Sequence, residues 1–246
     1  MNTLLAIENV SKRFGSIKAV DGVTLSIAER KIHGIVGPNG AGKTTLFNIV
    51  SGFLPASAGE ITLGGEKVTS AAAYERVRRG MARTFQTPQL FPEMTVLENV
   101  MVGAYARVLR FDRTRENLTA AEDKAREILK FVALSDSASL LASELPYPAQ
   151  RRLEIARALM TDPRLLLLDE PAAGMNAAET AQLMRLIEEI RAQGRTVVVI
   201  EHNMRLIMGV SERVTVINFG QVIADGTPAE VRADPKVISA YLGGQA

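Results

Sequence analysis

The run Gly37-Pro38-Asn39-Gly40-Ala41-Gly42-Lys43-Thr44 has the residue types and spacing needed to hold phosphate. It fits G-x-x-x-x-G-K-[ST], in which successive backbone N–H groups curl around an anion and glycines permit the curl without a Cβ in the way. A helix that starts inside the run adds the positive end of its dipole. Lys43 is expected to bridge the β- and γ-phosphates of a nucleotide, and Thr44 to hold Mg²⁺ through its hydroxyl, with Thr45 closing the phosphate-binding set. Such a pattern arises by accident in roughly one chain of this length in a hundred. Its place between an apolar strand and a breaker-free helical segment makes accident rarer still.

Two further runs end in residues that suit this chemistry. Leu165-Leu166-Leu167-Leu168-Asp169-Glu170 reads as a buried strand delivering Asp169 to a metal ion, with Glu170 next to it to polarise an attacking water. Val197-Val198-Val199-Ile200-Glu201-His202 is a second such strand, and it places His202 at the ligand edge of an α/β sheet. A histidine or glutamine alone carries no message. Only their order along the chain, after the phosphate loop, makes His202 and Gln86 candidate γ-phosphate sensors.

The elements that must position these residues are legible in outline. Leu4–Val10, Val20–Ile27, Lys31–Val36 and Ile61–Leu63 predict short strands, bounded by Gly15, Asp21-Gly22, Gly37 and Gly64-Gly65. Lys43–Val50 predicts the helix that follows the phosphate loop. From Glu98 to about Ala133, Ala121, Ala125, Ile128, Leu129 and Val132 recur at helical spacing, and Arg151–Met160 predicts another helix. This block reads as a helical insertion. Arg164–Leu168 and Thr196–Ile200 are continuous apolar runs, as in parallel strands buried on both faces, and the helix Ala178–Ala192 between them implies a crossover connection.

Composition narrows the class. Of 246 residues 47% are hydrophobic and 23% charged, a folded composition, and the net charge of +2 offers no electrostatic case for nucleic acid. No cysteine is present, which removes disulfides and thiolate metal sites. The N-terminal apolar run is broken by Glu8, so a secretion signal is not expected. No apolar run approaches the ~20 residues that span a bilayer, so any membrane role is expected to come through a partner.

Taken together, these motifs resemble the ATPase subunits of ABC transporters over nearly the whole chain. The resemblance implies a P-loop NTPase of α/β class. It comprises a RecA-like parallel-sheet core (1–86 and 160–246) with an antiparallel β subdomain, and an inserted α-helical subdomain (87–159). It also implies that Phe14 stacks on adenine and that Gln86 is the Q-loop residue sensing γ-phosphate and metal. Glu170 becomes the catalytic glutamate, His202 the switch histidine, and Ala173-Gly174-Met175-Asn176 the D-loop.

In that family each ATP is closed by a signature loop, L-S-G-G-Q, from the opposite subunit. Here its place is taken by Leu145-Pro146-Tyr147-Pro148-Ala149. Pro146 has no hydroxyl and Pro148 no N–H, and losing one or two charge-assisted hydrogen bonds of ~1.5–3 kcal/mol each would weaken γ-phosphate capture ten-fold or more. Two readings stand. Pro148 begins the following helix, where proline is favoured, or the two ATP sites of the assembly are unequal.

Ala82-Arg83-Thr84-Phe85-Gln86, Met94-Thr95-Val96-Leu97-Glu98-Asn99-Val100, Arg151–Arg157 and Val237–Gly244 are similar to the branched-chain amino-acid importer branch. That branch implies a second ABC ATPase subunit (a homo- or heterodimer), transmembrane permease subunits and, indirectly, a periplasmic binding protein, at the cytoplasmic face of the inner membrane. Leu90, Phe91 and Met94 are expected to receive a cytoplasmic helix of the permease, or else to seal the helical block. Urea/amide importers and the lipopolysaccharide exporter share parts of these strings. A soluble regulatory ABC ATPase, or one acting in DNA repair or translation, is the reading from another class.

Overall fold

A computed structural model describes residues 2–105 and 114–242. Alternating apolar positions make a long hairpin of β1 (Thr3–Phe14) and β2 (Ile17–Ala28), followed by the fully buried β3 (Ile32–Val36). Then come α1 (Lys43–Val50), β4 (Ala58–Leu63), β5 (Glu66–Lys67), α2 (Ala73–Arg78) and β6 (Met81–Arg83). The helical block holds α3 (Val96–Tyr105), α4 (Arg115–Phe131) and α5 (Tyr147–Met160). The chain returns to alternation with β7 (Leu165–Asp169), α6 (Ala177–Ala192), β8 (Thr196–Ile200), α7 (Met204–Val210), β9 (Arg213–Asn218), β10 (Gln221–Gly226), α8 (Pro228–Ala233) and α9 (Pro235–Leu242).

These strands form two sheets. Order β2-β1-β4-β5 is antiparallel throughout, while order β10-β9-β3-β8-β7-β6 is parallel except for the β9–β10 hairpin. The continuous apolar runs are explained by burial on both faces. Leu165 and Leu167 of β7 point into a core shared with α1 and the antiparallel sheet, while Leu166 and Leu168 point into a second core shared with α5 and α6.

The expected helices occur with small shifts. α1 has the predicted bounds, and α6 begins one residue earlier than expected. α5 begins four residues earlier, at Tyr147, because Pro146 acts as its N-cap and Pro148 lies in its first turn, where no intrahelical N–H is needed. The expected 98–133 helical stretch contains two helices, with residues 106–113 outside the described set. α3 packs tightly on α5: a Cβ at Gly103 would come within 2.5 Å of the Arg157 carbonyl. Asn176, in the loop before α6, caps that helix by accepting from Ala178 and Glu179 N–H at 2.9 and 3.0 Å.

Candidate functional site

The carboxyl ends of β3, β6, β7 and β8 lie side by side in the parallel sheet, and Lys43, Thr44, Thr45, Gln86, Asp169, Glu170 and His202 each end or follow one of them, whereas Phe14 belongs to the other sheet. This edge is where an open α/β sheet binds ligands. β3 runs directly into the loop 37–44, and the first helical hydrogen bond of α1 is from Leu46 N–H to the Gly42 carbonyl. The N–H groups of Lys43, Thr44 and Thr45 therefore precede the intrahelical ladder and are available to an anion.

The loop is braced from outside. A Cβ at Gly42, which sits at φ 100°, would come 2.3 Å from the Ala19 carbonyl, and one at Gly37 would come 2.0 Å from the Ile217 carbonyl. Gly220 N–H donates to Ala41 O at 2.9 Å. Glycine is thus required here by backbone packing as well as by the curl of the loop. Lys43 is buried, with Nζ donating to the carbonyls of Gly37 (2.7 Å) and Pro38 (3.0 Å). Burial lowers its pKa, while the nearby Glu170 and Asp169 carboxylates work in the opposite direction. Thr44 is exposed, with Asn39 and Gly40.

Gln86, Glu170 and His202, distant in sequence, meet at one carboxylate. Gln86 Nε2 donates to Glu170 Oε2 at 2.9 Å, and His202 Nδ1 lies 3.9 Å from the same oxygen. Glu170 holds φ 45°, a left-handed conformation unusual for a side-chain-bearing residue, and strain of this kind gathers at functional sites. Its N–H donates to Ile200 O, which ties the end of β7 to the end of β8.

Several functional neighbours are not apparent in the sequence. Arg83, at the end of β6, donates from Nη2 to Asp169 Oδ2 at 2.8 Å, with side chains 5% and 2% exposed. Its Nη1 reaches Asn48 Oδ1 and Ser51 Oγ, both at 2.7 Å. Burial raises the pKa of Asp169, and Arg83 opposes it. Glu201, buried at the end of β8, accepts from Ala172 N–H (2.7 Å) and from the N–H groups of His202 (3.2 Å) and Asn203 (3.3 Å). It therefore joins the turn after Glu170 to the histidine loop. Glu201 carried the weak signal of a charge at the end of an apolar run, whereas only Met81 and Ala82 precede Arg83.

Phe14 stands apart from the cluster, at the turn of the β1–β2 hairpin, half exposed with Lys12 Nζ 5.3 Å from its ring centroid. Leu90 is half-buried and packs against the core, while Phe91 and Met94 are exposed. A cavity of about 760 Å³ opens beside Pro38–Ala41, between Phe219 and the Lys236 and Ser239 side of α9. Burial raises the pKa of Tyr241 on α9, and the neighbouring Gly37 backbone works in the opposite direction. Gly243 and Gly244 of the expected C-terminal tail lie outside the described residues.

A family model described as "ABC transporter" matches residues 20–173. The chain belongs to the ABC transporter family. This ABC ATPase is an ATP-binding, ATP-hydrolysing transporter subunit of α/β P-loop fold. A second model, "Branched-chain amino acid ATP-binding cassette transporter", matches residues 221–246 of it. It is 44% identical to the "High-affinity branched-chain amino acid transport ATP-binding protein LivG" of Salmonella typhimurium, with 98% of each chain covered. Identity is 43% to the corresponding BraF protein of Pseudomonas aeruginosa, with the same coverage. Among solved structures, an ATP-binding cassette of an ABC transporter in its ADP conformation matches with TM-score 0.88 at 35% identity, covering 99% of this chain and 100% of that one. A dimeric cassette bound to ADP and Pi matches with TM-score 0.80 at 27% identity, covering 92% and 99%. Among the described residues of the ABC ATPase, no helix is long and apolar enough to cross a membrane.

Proposed function

We propose that this chain powers the uptake of branched-chain amino acids, as the ATPase of an importer whose permease subunits it meets at the cytoplasmic face of the inner membrane. The observation that carries the cargo is the match at both ends. Full-length relatives named for branched-chain amino-acid transport are 42–44% identical, and the C-terminal 221–246 segment matches a model of that branch. A periplasmic binding protein would deliver the cargo. Residues 1–86 and 160–246 form the nucleotide-binding core in this reading, and 87–159 the helical subdomain.

The convergence of Gln86 and His202 on Glu170 supports a hydrolytic mechanism. ATP phosphates lie in the loop Gly37–Thr45, held by its N–H groups and by Lys43, with adenine against Phe14. Thr44 and Asp169 are hard oxygen donors that would suit Mg²⁺, which would neutralise phosphate charge when bound. No cluster of three acidic, histidine or cysteine ligands occurs among the described residues, which fits an ion held largely by substrate. Asp169 has Oδ2 engaged by Arg83, leaving Oδ1 for that role. Glu170 orients the attacking water and accepts its proton. Gln86 occupies Oε2 of Glu170 and leaves Oε1 for the water. His202 faces the γ-phosphate.

The partner is a second ABC ATPase, packed in this reading head to tail so that each signature loop meets the other chain's nucleotide; the dimeric relative supports pairing as such. At the start of α5, Ala149 and Gln150 N–H already donate to the Pro146 carbonyl at 2.9 and 3.1 Å, and Pro148 has no N–H. This loop therefore offers little to a partner-bound γ-phosphate, which favours unequal sites. The test is Glu170→Gln here and the equivalent change in the partner, made separately. Glu170→Gln should keep ATP affinity and lower hydrolysis by about 100-fold or more. Unchanged hydrolysis refutes the catalytic assignment, and equal losses from the two changes refute the asymmetry.

A further inference from the structure

The atypical signature loop is wired to the Gln86 segment by Arg151 and Glu154 of the helix that follows it. Arg151, one turn into α5, is 2% exposed. Its Nη1 donates to the Phe85 carbonyl and its Nη2 to the Gln86 carbonyl. Nη2 also donates to the Tyr147 hydroxyl at 2.8 Å, and the guanidinium lies 5.2 Å from the centre of that ring. Glu154, one turn further along α5, accepts from Phe85 N–H at 3.0 Å and Gln89 N–H at 3.5 Å, and it meets Arg151 Nη1 at 3.4 Å. One arginine–glutamate pair on α5 thus holds both carbonyls and amides of residues 85–89. The planar fork of the guanidinium fixes the direction of each bond, so a shift of α5 moves this backbone with it.

Gln86 is gripped at both ends. Its carbonyl belongs to Arg151, and its Nε2 donates to Glu170 Oε2 at 2.9 Å. Tyr147 touches a third segment: a Cβ at Gly174, in the loop after Glu170, would lie 3.5 Å from its ring. We propose that Arg151 is a positioning residue that couples the Tyr147 end of α5 to the Gln86–Glu170 pair. The helix end that approaches a partner's nucleotide thereby sets the aim of this chain's own hydrolytic glutamate. The proposal rests on the head-to-tail reading above. It makes the two composite sites communicate through a path inside one subunit. Tyr147 stands where the family signature has its first glycine, so the departure from the signature creates the acceptor that completes the grip.

The test is a kinetic cycle on the full-length chain assembled with its partner ATPase and permease. Tyr147→Phe keeps the ring and the helix and removes only the acceptor for Nη2. It should lower kcat about ten-fold, the loss expected of one charge-assisted hydrogen bond, with KM and ATP affinity unchanged within about two-fold. Arg151→Met should cost more than Tyr147→Phe, and Arg151→Lys should recover part of the loss. In a Gln86→Ala background, Tyr147→Phe should have no further effect, because the coupled side chain is gone. Multiplying effects in that cycle, or a parallel fall of ATP affinity and kcat, would overturn the proposal. ATP-dependent pairing of the Glu170→Gln chain with its partner ATPase is measured alongside by gel filtration. Its absence removes the head-to-tail premise and the proposal with it, whereas pairing with a multiplicative cycle overturns the proposal alone.

Discussion

Acid should destabilise this protein through one buried histidine. His33 on β3 is 2% exposed, with Nε2 2.7 Å from Thr215 Oγ1 on β9. The Thr215 hydroxyl donates its proton to Asp225 Oδ1 at 2.9 Å, so the proton between histidine and threonine belongs to His33 Nε2. A second proton on the ring would be a buried charge. Burial accordingly pulls the His33 pKa from 6.5 down to about 4, aided by Arg213 and opposed by Asp225, whose carboxylate is 4.0 Å away. The folded pKa lies below the unfolded one, so the unfolded chain takes up the proton first. The contribution to stability is complete above pH 6.5 and is lost as pH falls toward 4. The loss works out to about 2 kcal/mol by pH 5 and about 3 kcal/mol by pH 4. The assay is urea unfolding of the wild type and His33→Gln between pH 7.5 and 4.5, since glutamine can still donate to Thr215 and does not titrate. The difference between the two unfolding free energies should move by about 2.5 kcal/mol in favour of the variant across that range. Because shared carboxylate titrations cancel in the difference, a difference constant to within about 0.5 kcal/mol would refute the reasoning.

Arg76 closes the other end of the phosphate-loop helix. It is buried, and its guanidinium donates to the carbonyls of Ile49 and Val50 at the end of α1 and to those of Ala71 and Thr69, with burial lowering its pKa to about 10. Arg76→Met should cost about 3 kcal/mol in urea unfolding by stranding those carbonyls, and Arg76→Lys should recover less than half; an unshifted midpoint would contradict this. At the rim of the Gln86 segment, Phe53 and Tyr74 are 55% and 58% exposed and line a pocket of about 180 Å³ with Arg83 and Phe85. We propose this pocket as a second candidate to receive a permease helix, besides the surface of Leu90, Phe91 and Met94. Changing both Phe53 and Tyr74 to serine should abolish transport and leave ATP binding by the isolated chain within about two-fold. Normal transport by that variant would exclude the pocket as the docking site.

What could be read from residues alone was local. The glycines at 37, 40 and 42, the helix Lys43–Val50 and the apolar runs ending in Asp169 and His202 carry their meaning within about ten residues, through backbone conformation and side-chain period. Even the break in the signature was visible, because proline's missing N–H is a property of the residue itself. Tertiary structure decided which charges meet. Arg83 and Asp169 are 86 positions apart, and Arg151 reaches back 65 positions to Gln86. The first pairing exists because the parallel strands β6 and β7 end at one sheet edge, and the second because α5 packs against the segment that follows β6. Hydrophobic periodicity carries no information about either neighbourhood. Burial then gives these pairs their weight, since a guanidinium removed from water must find acceptors, and only the folded chain determines which carbonyls and carboxylates are within reach.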